Sequence, residues 1–377
     1  MNTAHYIRHT RELRALVDRL RNEPLLAVDT ESNSLYAYYE QVCLVQLSTR
    51  TQDVIVDPLA VDDMSPLGEL LADPAIEIVF HAAVYDVITL KRDFGYTFAT
   101  IFDTMLAARI CGWQKVGLGN ILAAQFDIRV DKKYQRADWS KRPLPPEQMR
   151  YAQMDTHFLP RLRDVLLAEL HQNGREEEAH ETFAELPDLP AAEPHFDPEG
   201  YWRIHQTQRL GGRQMAIVRE LYLARDTIAR QRDWPAFKIF SDKVLVELAR
   251  IAPRRLEDMD GIKGLSASNI RRYGATILEA IARGQEAKPP HPPRHSRIPD
   301  PEVQLRYEAL HDWRKKRAVK RGVESDVIVP RGTLWALARR VPSCVEELED
   351  IPGLGPWRRA EYGAELIDVL ERTNNKR

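Results

Sequence analysis

Residues Pro24–Ser32 read PLLAVDTES. Four apolar residues in a row, bounded by a proline and a polar end, form a short buried strand. That strand ends in Asp29 and Glu31, and side chains two apart on a strand share a face. Both carboxylates therefore project the same way. Working outward, VCLVQLST (42–49) and QDVIVDP (52–58) are similar apolar runs separated by polar turns. They read as two more strands of an antiparallel meander. IEIVFHAA (76–83) is a fourth strand, placed after a helix over Met64–Leu71. From Val84 the pattern turns helical: Val84–Asp93, Asp103–Cys111, Leu118–Gln125, and one long helix from Pro146 to Asn173. The last opens with PLPPEQ, whose prolines suit a first turn. A sheet followed by helices is an α/β layered domain.

Three further acidic or phenolic groups fall where they can meet Asp29 and Glu31. Asp86 in HAAVYD follows the fourth strand at a helix start, and Tyr151 and Asp155 in YAQMD are four apart, on one helix face. Singly, each has an ordinary structural use as a cap or a partner of the helix dipole. Together they point to one site. Gathered carboxylates repel unless cations separate them, and an all-oxygen set suits magnesium, an ion used to cut phosphodiesters. No Cys or His stands at zinc spacing.

Composition limits the alternatives. The chain has 377 residues, which predicts two or three domains. No apolar run is long enough to span a bilayer. The start, MNTAHYIRHTRELRALVDRL, reads as a polar lead-in and a short amphipathic helix rather than a secretory signal. Three scattered cysteines (Cys43, Cys111, Cys344) fit no disulfide framework. These features predict a cytoplasmic protein. Residues 1–192 carry 20 Lys+Arg against 29 Asp+Glu, a balance of −9, while 193–377 carry 34 against 27, a balance of +7. That division suits metals in the first half and a polyanion in the second.

Two proline-rich stretches divide the chain, ELPDLPAAEPHFDPEG (Glu185–Gly200) and AKPPHPPRHSRIPDP (Ala287–Pro301). They separate a first domain over 1–185 from helical domains over 201–286 and 300–373, with linkers at 186–200 and 287–299. The two helical domains are copies. At an offset of 89, Leu245, Leu248, Ala249, Arg250 and Pro253 fall on Leu334, Leu337, Ala338, Arg339 and Pro342. Thirteen identities occur in the 45 ungapped pairs from Phe237/Asp326 to Ile281/Leu370, far above chance for this composition.

VDTES, HAAVYD, IFDTMLAARI and DKKYQRADWSKRPLPPEQMRYAQMDTHFL resemble the motifs of exonucleases that use four acidic residues on a ribonuclease H-like fold. Within that group the chain resembles the ribonuclease D family. The doubled tail resembles the helical domain which that family shares with RecQ-type helicases. Tyr151, four residues before Asp155, fits the tyrosine subclass. The histidine subclass would need a histidine where Arg150 stands, and His157 lies on the wrong side of Asp155.

The resemblance implies a 3′→5′ exoribonuclease that trims tRNA precursors and other stable RNAs, releasing 5′-nucleoside monophosphates. It implies two divalent cations, Mg²⁺ or Mn²⁺. Asp29 would bridge both, Glu31 and Asp155 would hold the ion beside the attacking water, Asp86 would hold the other, and Tyr151 would orient the water. Leu35 and Tyr36, just after the first motif, are candidates to wedge against the terminal bases. Tyr134 and Trp139 could stack on bases beside Lys132, Lys133, Arg136, Lys141 and Arg142. WRKKRAVKRG (313–322), with Arg314, Lys315, Lys316 and Arg317, is the candidate phosphate-contacting surface of the tail, and a basic helix with Arg219, Arg225, Arg230 and Arg232 is its counterpart in the first copy. A monomer suffices for this scheme. The rival readings are a 3′→5′ exodeoxyribonuclease and a non-catalytic RNA-binding protein on a nuclease scaffold. No helicase phosphate loop is present to favour the first, and all five site positions are filled, against the second.

Overall fold

The structure is a computed structural model that describes residues 3–191, 196–291 and 300–374. Residues 192–195 of the first proline-rich linker and 292–299 of the second lie outside them. The chain forms two compact units. One comprises Met1–Glu31, Val42–Ala192 and Ile298–Arg377, and the other Ser32–Gln41 with Glu193–Arg297.

The first unit is built on a six-stranded sheet: β1 (His5–Ile7), β2 (Leu25–Ser32), β3 (Val42–Ser48), β4 (Asp53–Val56), β5 (Glu77–Phe80) and β6 (Ile101–Asp103). Its order is β1-β4-β3-β2-β5-β6. β3 and β4 run antiparallel, with Gln46 opposite Ile55, while β1 is parallel to β4, β2 to β5 and β5 to β6. The sequence pattern missed β1 and β6, because three residues are too few to establish a period of two.

Apolar residues line both faces of β2. Leu26 and Val28 join Val45, Leu47 and Ile78 in one core, under α1 (Thr10–Leu20), α2 (Ser65–Leu71) and α3 (Val84–Phe94). In α1 the buried Leu13, Leu16, Val17 and Leu20 make the single apolar stripe expected of a surface helix. Leu25 and Ala27 join Val79 and Phe102 in the opposite core, under α4 (Thr104–Ile110), α5 (Leu118–Phe126), α7 (Leu159–Gln172) and α8 (Glu176–Ala184). Asp29 and Glu31 continue the face of Leu25 and Ala27.

One predicted element is corrected. The long helix over Pro146–Asn173 is two helices, α6 (Pro146–His157) and α7, joined at Phe158. Pro160 is the cause: with no N–H and a ring that crowds the preceding turn, it is tolerated in the first turn of a new helix but not inside one.

The duplication is exact in the fold. α9 (Gly212–Arg232), α10 (Ala236–Ile239), α11 (Asp242–Ile251) and α12 (Ala267–Glu286) reappear 89 residues on as α13 (Pro301–Arg321), α14 (Ser325–Ile328), α15 (Arg331–Arg340) and α16 (Pro356–Asn374). Even the left-handed helix ends recur, at Ala252 (φ 47°) and Val341 (φ 50°). Each copy has its own core, around Leu221, Leu245 and Ile277 in the first and Leu310, Leu334 and Leu366 in the second.

The second copy belongs to the same unit as the sheet. The Arg321 guanidinium donates to both oxygens of the fully buried Glu178 on α8, at 2.6 and 2.5 Å. Glu181, one turn on, accepts the backbone N–H of Trp357 at 2.6 Å and the Arg358 guanidinium at 3.0 Å. Arg109 of α4 pairs with Glu324 and Asp326.

Candidate active site

Three elements bring the predicted residues together. The end of β2 supplies Asp29 and Glu31, α3 supplies Asp86, and α6 supplies Tyr151 and Asp155. Asp29, Glu31, Tyr151 and Asp155 line one cleft of about 450 Å³. Asp86 is buried and does not line the cleft wall. Its Oδ1 accepts a 2.5 Å hydrogen bond from the Thr30 hydroxyl, which ties α3 to the acidic strand.

The turn before α3 needs its own support, because Ala82 has φ 67°, a conformation unfavourable for a residue with a Cβ. Asp103 supplies it. Fully buried at the end of β6, its carboxylate accepts the N–H groups of Ala82 and Ala83 from that turn and of Met105 and Leu106 from the start of α4. α6 is fixed by Ser48 of β3 against Thr156, 2.7 Å apart, and by Gln153 and His157, both bonded to Asp53 of β4. His157 is thus a packing residue of α6.

The electrostatics carry the mark of a shared site. Burial raises Asp29 well above the usual carboxylate range, and the charges of Asp86, Asp155 and Glu31 raise it further. Glu31 is raised by burial, then by Asp155 and Asp86. Burial lifts Asp86 to about 7. Burial and the charge of Asp86 lift Asp155 to about 7. The Tyr151 phenol is also pushed well up, by burial and then by Asp155, Glu31 and Asp29. Each of the five therefore feels a neighbour's charge or the loss of water, and the net demand of the site is for positive charge. Among the described residues no three His, Cys, Asp or Glu side chains stand at metal-ligand spacing. The fit to hard cations rests on the donor set, all oxygen, and on this mutual repulsion.

The remaining predicted residues are distributed unevenly. Lys132 lines the cleft, together with His81, Asn120 and Gln135, which sequence reasoning did not single out. The His81 imidazole is half-exposed and its Nδ1 lies 2.9 Å from the Thr104 hydroxyl. Lys133 is exposed, its ammonium 5.1 Å from the Tyr134 ring. Leu35 is exposed on the loop after β2, and Tyr36 follows it half-buried.

Expectations for four residues are corrected. Trp139 is 1% exposed and cannot stack on a base; it packs against Tyr151, whose ring Tyr134 also meets, edge-on. Arg314 is buried, its guanidinium donating to the Val329 carbonyl at 2.9 Å. It builds the second copy instead of facing solvent. Arg317 is held by Glu361 and Glu365, while Lys315 and Lys316 are exposed. Arg142 is also internal in role: Asp57 and the carbonyls of Cys43 and Trp139 take up its guanidinium.

Residues 4–171 match a 3′-5′ exonuclease family, and residues 214–281 and 304–370 each match the HRDC domain. The chain is 31% identical over 371 residues to ribonuclease D of Gluconacetobacter diazotrophicus, covering 96% of this chain and 91% of that one. The chain belongs to the ribonuclease D family. A solved ribonuclease D from Escherichia coli, described as an exoribonuclease involved in structured RNA processing, superposes with a TM-score of 0.70 at 25% identity over 99% of both chains. The catalytic core of RRP6 from Trypanosoma brucei is 29% identical with a TM-score of 0.67, covering 75% of this chain and 82% of that one. The ribonuclease H-like α/β domain followed by two HRDC domains is the family's architecture, and a 3′→5′ exoribonuclease is its activity. Among the described residues no helix is long and apolar enough to cross a membrane.

Proposed function

We propose that this ribonuclease D family member trims the 3′ ends of tRNA precursors and other stable RNAs, one 5′-nucleoside monophosphate at a time, as a cytoplasmic monomer. The supporting observation is the mutual electrostatics of the cleft: four carboxylates and a phenol, all raised by burial or by one another's charge. Asp29, Glu31, Asp86 and Asp155 would hold two divalent cations, Mg²⁺ or Mn²⁺. When bound, these ions supply an acidified water and neutralise charge on the attacking and leaving oxygens.

The side chains divide the remaining work. Tyr151 keeps its proton at neutral pH, because burial and carboxylates oppose its ionisation. Its hydroxyl is then a hydrogen-bond donor that orients the water against the terminal phosphodiester. Lys132 on the cleft wall offers a cation to the phosphate oxygens. Leu35 comes four residues after Glu31, and a wedge by it at the terminal bases would favour strand ends over internal bonds. Lys315 and Lys316 offer exposed phosphate contacts on the second copy.

A tRNA transcript with a short 3′ extension, incubated with Mg²⁺, should lose single nucleotides from its 3′ end and yield 5′-monophosphates. Chelation should stop the reaction, and Asp155→Asn should abolish turnover while RNA binding persists. Internal cleavage, chelator-resistant turnover, or full activity of the Asp155→Asn chain would refute the assignment. A matched DNA oligonucleotide lost faster than the RNA would make the chain a deoxyribonuclease.

A further inference from the structure

The loop that follows Glu31, residues Ser32–Gln41, belongs to the compact unit of the first helical copy. The copy holds it in a specific way. α9 ends in Asp233, whose Oδ1 accepts the N–H groups of Tyr38 at 2.9 Å and Tyr39 at 3.0 Å. The Tyr38 hydroxyl donates to Asp226 at 2.6 Å, and its ring packs on the copy's core. Arg230 pairs with Asp226 from the next turn of α9. The nearby carboxylates are thus already engaged.

What this clamp displays is aromatic and cationic. Tyr39 is 56% exposed. Trp234, next in sequence to Asp233, is 40% exposed, and Phe237, one turn on, is 54% exposed. The Lys238 ammonium lies 3.9 Å from the centroid of the Tyr36 ring, and the Arg232 guanidinium 6.0 Å from that of Trp234. Large rings of this kind are normally withdrawn from water; here Tyr39, Trp234 and Phe237 stand exposed, Lys238 sits over the half-buried Tyr36 ring, and Arg232 lies beside Trp234. Flat π faces for bases beside positive charge for phosphates is the chemistry that binds single-stranded nucleic acid without regard to sequence.

Chain geometry says which stretch of the strand is concerned. Tyr36 is five positions after Glu31, so their Cα atoms lie at most about 18 Å apart. We propose that Tyr36, Tyr39, Trp234, Phe237, Arg232 and Lys238 form a stacking platform for the unpaired nucleotides a few positions upstream of the 3′ end. This rests on the exoribonuclease reading of the cleft. The platform selects RNAs with a single-stranded 3′ tail, and it assigns the first copy a substrate role that the second copy lacks: positions 323 and 326, which match Trp234 and Phe237, are Val and Asp.

The test uses the full chain carrying Asp155→Asn, so that RNA is bound but not cut. The probes are a labelled RNA hairpin with a 3′ tail of about eight unpaired nucleotides and the same hairpin with a blunt end. Trp234→Ala and Phe237→Ala should each weaken binding of the tailed hairpin about tenfold and leave the blunt one nearly unchanged. Trp234→Phe should restore most of the loss. Circular dichroism checks that the variants fold, which their exposure favours. Unchanged affinity for the tailed hairpin in folded variants would overturn the platform. So would equal losses on both hairpins, or altered self-association in sedimentation with RNA affinity intact, which would mark a protein contact. Release of mononucleotides by the unsubstituted chain tests the cleft by itself, so failure of the platform and failure of the nuclease reading are told apart.

Discussion

Trp139 lies under Tyr151 with ring centroids 6.1 Å apart and planes inclined by 31°. The tryptophan is anchored from below, because its carbonyl accepts from Arg142, which in turn grips Asp57 at the end of β4. The phenol that faces the acidic cleft therefore rests on a stack running down to the sheet. Tyr151→Phe should keep the ring in place and lose the donor, lowering kcat about 10²-fold or more with KM nearly constant. Trp139→Ala should lower kcat as well, and also cost about 3–5 kcal/mol of stability by leaving a cavity. Denaturant melts and single-turnover kinetics separate the two. A Tyr151→Phe chain with unaltered kcat would remove the tyrosine from the chemistry.

Arg142 should not tolerate lysine. Its planar fork meets both oxygens of Asp57 and three carbonyls at once, which a lysine ammonium cannot do. Arg142→Lys is expected to cost about 2–4 kcal/mol, read as a lower midpoint in urea. A change within error would mean that the carboxylate finds water instead.

Asp103 should matter as much to the site as a ligand does, although it touches no substrate. Asp103→Ala leaves four N–H groups, one buried and three partly buried, without their acceptor and should cost about 3 kcal/mol. The freed turn should shift Asp86 and reduce turnover. Asp103→Asn, which keeps one acceptor oxygen, should fall between.

The acids set a pH and metal dependence of stability. In the folded chain Asp86 and Asp155 titrate at about 7, against an ordinary value of 3.8. Between those limits the folded state keeps protons that the unfolded state releases. Their contribution therefore turns destabilising as pH rises from about 4 to 7. In chelator at pH 8, Asp155→Asn should raise the thermal midpoint, and Mg²⁺ should raise that of the unsubstituted chain by more than that of the variant. Midpoints indifferent to both changes would show that the carboxylates do not share a site.

Arg225 and Arg314 stand at equivalent places in the two copies and do the same job, donating to the carbonyls of Phe240 and Val329. Either one replaced by alanine should destabilise its copy. Replacing Lys315 and Lys316 together should leave stability nearly unchanged, weaken RNA binding and flatten its salt dependence by about one to two units of log–log slope. Salt titrations that overlay would withdraw these lysines from the interface.

How much of this was legible beforehand follows from what each signal depends on. PLLAVDTES and YAQMD could be read because strand and helix periods fix which side chains share a face, whatever surrounds them. The offset of 89 was visible because repetition needs no structure to be seen. The direction a side chain takes in three dimensions was not. A run such as WRKKRAVKRG looks uniformly basic, yet Arg314 turns inward, Arg317 is taken up by two glutamates and the lysines stay in water. Trp139 sat among basic residues and read as a base-stacker, but its neighbours in space are Cys43, Leu44 and Ile55 of two strands some 85–95 residues earlier. Asp103 and Thr30 escaped notice because their partners come from other elements, and nothing local distinguishes a bracing carboxylate from an ordinary helix cap.

Glu178 has no exposure to solvent, and Arg321 is the group that satisfies it. A C-terminal module that looks separable on paper is therefore not a spare part. Trimming the polypeptide before Pro301 would take away Arg321 and bare the face of α8 on which the second copy packs, so the shortened enzyme should be less stable although every strand of the sheet is retained.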